Sequence, residues 1–580
     1  MPTDANPASV EKRLFSDQLM LEMGHALVDR EIITRAQLDE LMSRKALTGE
    51  SLDKMLVKEK IAGERQVLEV LSELTNMPFR HIADLSVSHD AVTLLQPRAA
   101  LRFEVLPVMA ENGVITLATR NIPDQTTADS LRMLLNQAVE WILCMESDIA
   151  KSIKHFYGLG AETIDDLVQT GDAIPVEIDT SDVTLDEADE GIIKFVNQII
   201  GEAIAMKATD IHMEPFRENL ILRFRVDGIL QNVPVPKGVE QFRRALASCV
   251  KIMADLNIAE KRKPHDGRIK VRRGTEEFDL RVSILPTPHG ETVNMRILNA
   301  QQMFIDLSHL GLAERQMIPI RALAELPHGV ILVTGPTGSG KTTTLYALLS
   351  HLTNNDVKII TVEEPIEYQI NGISQIQVHQ EIGLTFASIL RSILRHDPDI
   401  VLIGEIRDSE TADIAVRASL TGHLVFSTLH TNDAPSAVTR LIDMGIEPFL
   451  VSSCLEGAIA QRLVRRLCSA CRVETTVEEP IMDEIRSLYP DRVDGATLYA
   501  AQGCPDCSFT GYSGRIGLFE IMVINDALRS TIVQARPSNE IQALARENGM
   551  VTLREDGWSR VLDGMTSVEE VFRVARKADS

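Results

Sequence analysis

A glycine, four free positions and then Gly-Lys-Thr, set between an apolar run and a helix-forming run, is the feature that most narrows what this chain can fold into. The stretch Ile331–Tyr346 reads ILVTGPTGSGKTTTLY. Gly329–Val333 before it reads as a buried parallel strand, and Thr342–Leu349 after the loop reads as a helix. That strand–loop–helix context is what turns a glycine-rich string into a phosphate-binding loop. Glycine lets the backbone approach phosphate oxygens closely, so that consecutive N–H groups and the helix N-terminus cradle them. The expected cradle is Gly335, Pro336, Thr337, Gly338, Ser339, Gly340, Lys341, Thr342 and Thr343. Lys341 would reach the β- and γ-phosphates, and Thr342 would hold a Mg²⁺. The alternative is a turn without chemistry. Strand, lysine and threonine in one register argue against it, and the chain is expected to bind a nucleoside triphosphate.

At 580 residues the chain exceeds one core, so three or more domains are expected. No apolar run approaches the roughly 18–20 residues that span a bilayer, and MPTDANPASVEKR lacks the apolar region of a signal peptide. The expectation is a cytosolic protein, or one attached to a membrane only through a partner. A net charge of −24 argues against an extended nucleic-acid surface, which needs clustered Lys and Arg. Of seven cysteines, four fall in two CxxC pairs.

The region 16–75 carries a faint internal repeat. Gly24–Ile33 aligns with Asp53–Ala62 at an offset of 29 residues, and each copy runs on into an apolar-periodic helix, Arg35–Arg44 and Glu64–Leu74. This resembles the N-terminal domain of secretion and pilus-assembly ATPases. In some relatives that repeat binds a cyclic dinucleotide through Arg-Leu-Gly and a terminal Gln. Here Glu22 and Asp53 stand where the arginine and the second glycine would be, so partner docking is the expectation. A second small α/β unit runs from Phe79 to Tyr157. Strand-like Glu104–Met109 and Val114–Thr119 flank Asn112-Gly113, a strong hairpin signal. Residues 161–190 then hold eleven Asp or Glu and no Lys or Arg, which reads as a solvated linker or an acidic tether for a basic surface. The N-terminal domains are expected to move independently of the domains after this linker.

From Gly191 to Leu298 the pattern is helix, strands, helix, strands. Its phrases are ATDIHMEP from Ala208, LRFRVDG from Leu222 and DLRVSILPTPHGE from Asp279. Together with the P-loop they resemble the secretion ATPase superfamily that powers type II secretion and type IV pili. Arginines alternate with apolar residues in these strands and so share one face. Between them the basic run Lys261–Arg273 is read as a solvated edge or as a surface facing a neighbouring subunit's nucleotide. The resemblance implies that Arg281 and Arg296 reach nucleotide from this domain, as the planar guanidinium fork suits phosphate oxygens. The alternative is that each pairs with a local carboxylate, with Glu291 or Asp279 available.

Four later stretches carry the remaining chemistry. Lys358–Tyr368 resembles the family's aspartate box, with Glu364 where Asp is usual; its role is left open. Glu367 matches the box's final glutamate, a candidate for polarising the attacking water. The apolar strand beginning at Asp399 ends in Glu405, the Walker B position, which would act through Mg²⁺ or its waters. Strand C-termini are where doubly wound sheets bind ligands. TGHLVFSTLHTN, from Thr421, matches the histidine box, and the resemblance implies that His423 and His430 act near the γ-phosphate. Alternation would point them to opposite faces, so they need not act as a pair. Cys468, Cys471, Cys504 and Cys507 form two knuckles that can close a tetrahedral zinc shell, with a redox pair as the rival. Cys144, Cys249 and Cys454 read as core. From Gly517 onward the chain looks helical and is expected to pack on the ATPase core.

The fold class expected is α/β: a RecA-like P-loop ATPase core, a PAS-like α+β domain before it, small N-terminal helical and α/β domains, and a tetracysteine zinc insert. The domains expected are 1–78 (helical repeat, partner docking), 79–158 (small α/β), 159–190 (acidic linker), 191–300 (α+β, supplying arginines) and 301–580 (ATPase, with the insert at about 466–515). The resemblance implies a homohexamer that uses ATP, Mg²⁺ and Zn²⁺ on the cytoplasmic side of the inner membrane. It would drive pseudopilus assembly and protein export by type II secretion, with secretion or pilus platform proteins docking its N-terminal domains. A type IV pilus extension ATPase shares every motif. A nucleic-acid motor is disfavoured by charge and by the lack of base-stacking aromatics. A scaffold without turnover is disfavoured by the candidate catalytic carboxylates.

Overall fold

The N-terminal repeat folds as helices Pro7–Asp29, Arg35–Thr48, Leu52–Lys58 and Glu64–Thr75 in a computed structural model. The structure describes residues 7–160 except 49, 187–299, and 306–575 except 354, 355 and 494. Val67, Leu68, Val70 and Leu71 give the fourth helix one apolar stripe, which buries against Met23, Leu27, Leu38 and Leu56. Asp53, one of the two departures from the ligand-binding pattern, is buried and accepts from Arg120 of the next unit at 2.6 Å. Its carboxylate ties the two N-terminal units together.

In that next unit, strands Val105–Glu111 and Val114–Thr119 pair antiparallel around Asn112-Gly113. Both turn residues have positive φ, at 52° and 78°, the two-residue turn whose twist matches the strands. Ala138–Leu143 adds a parallel third strand, and helix Glu146–Tyr157 closes the unit.

Most of the expected acidic linker, residues 161–186, lies outside the described residues. One boundary differs from expectation. Leu159, expected in the linker, is buried in the core of the following α+β unit, and its N–H donates to Pro234 O at 2.9 Å. Lys154 meanwhile pairs with Glu202 at 2.8 Å. The second N-terminal unit is therefore docked in this structure, through contacts made before the acidic stretch. The acidic composition of 161–190 was not evidence about the contacts made just before it.

The α+β unit is a six-stranded antiparallel sheet with helices Glu187–Ala205 and Arg243–Met253. Its apolar face (Ile211, Met213, Leu222, Phe224, Leu280, Val282, Met295) is buried with those helices. The alternate residues, many of them arginines, make a polar face.

The last unit carries a seven-stranded sheet in the spatial order Ser374–Gln377, Ile359–Glu363, Ile400–Ile403, Leu424–Leu429, Gly329–Thr334, Leu455–Leu467, Tyr512–Val523. The first six are parallel and the seventh is antiparallel. Strands Gly329–Thr334 and Leu424–Leu429 are buried along their whole length, as central parallel strands are. The expectation of helix from Gly517 is corrected: Gly517–Val523 completes the edge strand, and helices begin at Asp526. Four helices from Asp526 to Val574 pack on the core through Leu528, Ile532, Ile541 and Trp558. The cysteine-bearing insert leaves this sheet after Leu467 and returns at Tyr512.

Candidate functional site

The phosphate loop leaves the C-terminal end of its strand and enters helix Lys341–Leu352. Gly335 and Gly340 both have positive φ. A Cβ on Gly335 would lie 2.6 Å from Gln461 O and from Ser339 Oγ, and one on Gly340 would lie 2.8 Å from Gln461 Nε2. Only glycine fits at either position. Lys341 Nζ donates to Gly335 O at 2.8 Å and Pro336 O at 3.0 Å, curling over the loop. Burial lowers the pKa of this ammonium, Glu405 opposes that shift, and Arg462 adds to it. Ser339 Oγ is buried without a hydrogen-bond partner in the loop, and Thr342 at the helix start is exposed. The cradle fits a triphosphate, and Thr342 is open to solvent at its rim.

Neighbouring strands end beside this loop and deliver the carboxylates. Glu405, 17% exposed, pairs with Arg407 at 2.5 Å and lies 3.4 Å from His430 Nε2. Arg407 also binds Glu364 at 3.0 Å, and Glu364 accepts from Gln380 Nε2 at 2.7 Å. Glu364, whose role was left open, thus belongs to the same charged cluster as Glu405. Glu363 is buried and satisfied by Tyr346 Oη, Thr361 Oγ1 and Gln375 Nε2, which fixes the strand end within the aspartate box.

The two histidines separate by position along the strand. His430 follows the C-terminal end of Leu424–Leu429, on the P-loop side. His423 precedes the N-terminal end, and its carbonyl accepts from Gly329 N at the start of the P-loop strand. Six strand residues at about 3.3 Å each place it roughly 20 Å from the loop. The expected role of His423 beside the γ-phosphate is therefore corrected. Its Nδ1 lies 2.9 Å from Ala418 O and 3.2 Å from Thr421 Oγ1, in the turn that leads into the strand.

On the polar face of the six-stranded sheet, Arg268, Arg281 and Arg296 are directly opposite one another, followed by Asp210 and Arg225. Arg281 reaches across to Glu367 at 3.5 Å and to Ile366 O at 3.4 Å. Arg296 stays within its sheet, 3.2 Å from Asp210. Neither uses Asp279 or Glu291; Glu291 pairs instead with the fully buried Lys251 at 2.6 Å.

Sequence reasoning missed Gln461 and Arg462. Gln461 Oε1 accepts from Thr344 Oγ1 at 2.7 Å beneath the loop's helix. Arg462, 8% exposed, donates to Gln461 O at 3.0 Å and to Asn432 O at 2.8 Å. It thus braces the P-loop against the segment that follows His430. The available signal was an arginine in a largely apolar strand run, AIAQRLV.

The four cysteines lie far along the same strand pair, with their sulfurs all within 4.8 Å of one another. Cys468–Cys504, Cys471–Cys507 and Cys504–Cys507 separations are 3.9, 3.8 and 3.8 Å. Tetrahedral zinc with Zn–S near 2.3 Å requires edges of about 3.8 Å. Backbone N–H groups of Cys504 and Gly511 point at Cys507 Sγ, each at 3.2 Å, as they would at a thiolate. The donor set fits zinc.

Comparison with known proteins places these features in context. The family model described as type II/IV secretion system protein matches residues 186–573, and an MshEN domain model matches 75–163. The MshEN match falls on the second N-terminal unit, not on the repeat before it. The chain is 40% identical to the type IV pilus assembly ATPase PilB of Myxococcus xanthus, over 95% of this chain and 98% of that one. It is 43% identical to the type II secretion system protein E of Xanthomonas campestris pv. campestris, over 89% and 91%. Among solved structures, the Yersinia pseudotuberculosis ATPase DotB covers 68% of this chain and 96% of its own, with a TM-score of 0.50 at 19% identity. That likeness is one of fold.

Proposed function

Because the chain belongs to the type II/IV secretion system protein family, we propose that it is an ATP hydrolase powering pseudopilus assembly, and through it protein export by a type II secretion system. The observation that carries the reading is the gathering of Lys341, Glu405 and His430 at one edge of the parallel sheet, with Arg281 reaching Glu367 from the preceding unit. The P-loop Gly335–Thr343 would bind the phosphates, and Thr342, with Glu405 nearby, would hold a Mg²⁺ that supplies charge neutralisation when bound. Glu367 would polarise the attacking water, and His430 would contact the γ-phosphate. Arg281 supplies a guanidinium from the α+β unit, which we describe as PAS-like, and Arg296 supports the same face. Cys468, Cys471, Cys504 and Cys507 would hold zinc, which would order the insert and take no part in hydrolysis.

We further propose that six copies form a ring on the cytoplasmic face of the inner membrane, docked by platform proteins through the N-terminal units. Among the described residues no helix is long and apolar enough to cross a membrane. The net charge of −24 leaves nucleic acid without a broad basic surface. Type IV pilus extension is the second reading, favoured by the near-full-length match to a pilus assembly ATPase.

Hydrolysis is tested by Glu405→Gln, which should retain ATP binding and lose turnover, and Lys341→Ala, which should lose binding. Near-normal hydrolysis by an oligomeric Glu405→Gln sample refutes the assignment. Deleting the gene separates the two readings: loss of exported proteins with surface pili intact supports export, and the converse supports the pilus.

A further inference from the structure

The cysteine insert has a neighbour that its metal site alone does not explain. Helix Glu146–Tyr157, of the unit that carries the MshEN match, lies on the turn Pro505–Cys507 between the last two cysteines. Lys151 Nζ meets Asp506 Oδ1 at 2.8 Å. One turn further along the helix, the His155 ring lies over Phe509 with centroids 4.6 Å apart and planes inclined at 35°. Ala83, from the short 3₁₀ turn Ile82–Asp84 of the same unit, packs directly on the four-cysteine cluster. Three contacts of different chemistry, from two separate elements, thus converge on one knuckle.

We propose that the four-cysteine knuckle is the docking platform for the chain's own N-terminal α/β unit, so that zinc occupancy governs whether that unit is held against the ATPase. Metal is central because the knuckle joins two separate CxxC segments whose four sulfurs all lie within 4.8 Å of one another. Main-chain bonds such as Phe509 N–H to Cys504 O shape the three-residue turn Pro505–Cys507, whose buried side chains are Pro505 and Cys507. Ser508 and Phe509, the next two residues, both carry positive φ, so the Phe509 ring is aimed by a backbone path that thiolate ligation at Cys507 anchors. Without that anchor, Asp506 and Phe509 lose their fixed spacing, and Lys151 and His155 lose a matched partner.

The platform is also rigidly placed relative to the nucleotide loop. Strand Leu455–Leu467 carries Gln461 and Arg462 at the P-loop and reaches Cys468 six residues later, a span of about 20 Å. Its antiparallel partner Tyr512–Val523 brings the chain back from the knuckle. A unit seated on the knuckle is thereby seated on the strand pair that backs the phosphate loop. The exposed Lys151–Asp506 pair contributes little affinity by itself and serves as register, while the ring and Ala83 contacts provide apolar cover.

The experiment is amide hydrogen exchange on the full-length protein, zinc-loaded and after chelation, with helix Arg35–Thr48 as internal reference. Chelation should raise exchange about tenfold or more in both 504–509 and 146–157, leaving 35–48 unchanged. An unchanged helix 146–157 beside an exchanging knuckle overturns the proposal. Variants on the N-terminal side guard against general unfolding of the metal-free chain. Lys151→Glu with His155→Ala, which touches no cysteine, should keep one zinc per chain and still raise exchange in 504–509. A zinc-loaded double variant with wild-type protection at 504–509 refutes the docking. The outcome does not depend on turnover, so it stands or falls separately from the ATPase assignment.

Discussion

Replacing Arg462 with Gln tests whether a residue with no seat among the phosphates controls turnover. The guanidinium is 8% exposed, and each arm holds a different main-chain oxygen: Gln461 O at 3.0 Å and Asn432 O at 2.8 Å. The shorter, neutral Gln cannot hold both. Leaving the buried Gln461 carbonyl short of a partner costs about 1–3 kcal/mol, and the bond to the more exposed Asn432 contributes about 1–2 kcal/mol, since water replaces part of it. Stability should fall by roughly 2–5 kcal/mol. The Asn432 share acts on the segment that holds His430 at 3.4 Å from Glu405. If that share is lost from the transition state, kcat falls roughly 5- to 30-fold. KM for ATP should stay within about twofold, because Lys341 and the loop amides are untouched. Arg462→Lys should recover little, having one donor head where two arms are needed. Steady-state ATPase assays with thermal denaturation on the same samples read both quantities. A stability loss with kcat unchanged makes Arg462 a packing residue only, and a raised KM with unchanged kcat moves its role to binding. Either result refutes the bracing argument.

Four further outcomes are expected. His430→Ala should lower kcat strongly, whereas His423→Ala, at the far end of the strand, should leave ATPase rate near wild type; equal losses would refute the positional argument. Arg281→Ala should cut hydrolysis more than Arg296→Ala, since only Arg281 reaches the ATPase unit, and rate ratios near one would contradict this. Metal analysis should find about one zinc per chain, lost in Cys471→Ser together with thermal stability, while a metal-free wild-type protein would exclude the site. Burial pushes the Glu520 carboxyl up to about 7, against the Ala434 and Leu553 N–H groups that it accepts. The folded chain keeps a proton that the unfolded chain releases in the ordinary carboxylate range, so this group's contribution falls as pH rises from that range to about 7. Glu520→Gln should flatten the decline in Tm between about pH 4.5 and 7, and an unaltered decline would refute the assignment.

How much of the molecule was legible in the sequence depends on how local each signal is. The P-loop is a continuous string whose chemistry depends on its own backbone, so the cradle from Gly335 to Thr343 could be read without neighbours. The Asn112-Gly113 hairpin was legible for the same reason, since the turn itself demands two positive φ values. Gly517–Val523 was misread because Ile516, Leu518, Phe519, Ile521 and Met522 satisfy both a helical stripe and a strand packed on two faces. The brace at Gln461 and Arg462 was illegible because the Thr344–Gln461 bond spans 117 residues. The histidines failed differently. Strand alternation correctly kept them from acting as a pair, but the deciding variable was which end of the strand each occupies, and that needs the parallel register with Gly329–Thr334.

Register also distinguishes the arginines. Like charges directly opposite on neighbouring strands repel, so the row Arg268–Arg281–Arg296 is unfavourable unless negative charge meets it. Asp210, next in the row, serves Arg296 at 3.2 Å and Arg225 at 3.6 Å, and so neutralises one end. Among the described residues, Arg281 in the middle of the row forms no ion pair with a carboxylate of its own sheet. Arg281 instead takes Glu367 from the ATPase unit, and its Nε is buried without a hydrogen-bond partner. A guanidinium with one long ion pair and an unused donor has capacity left for another anion, whereas Arg296 is already committed to Asp210 within its own sheet. The two arginines share a face and a strand pairing, and the carboxylate each faces is what separates their roles.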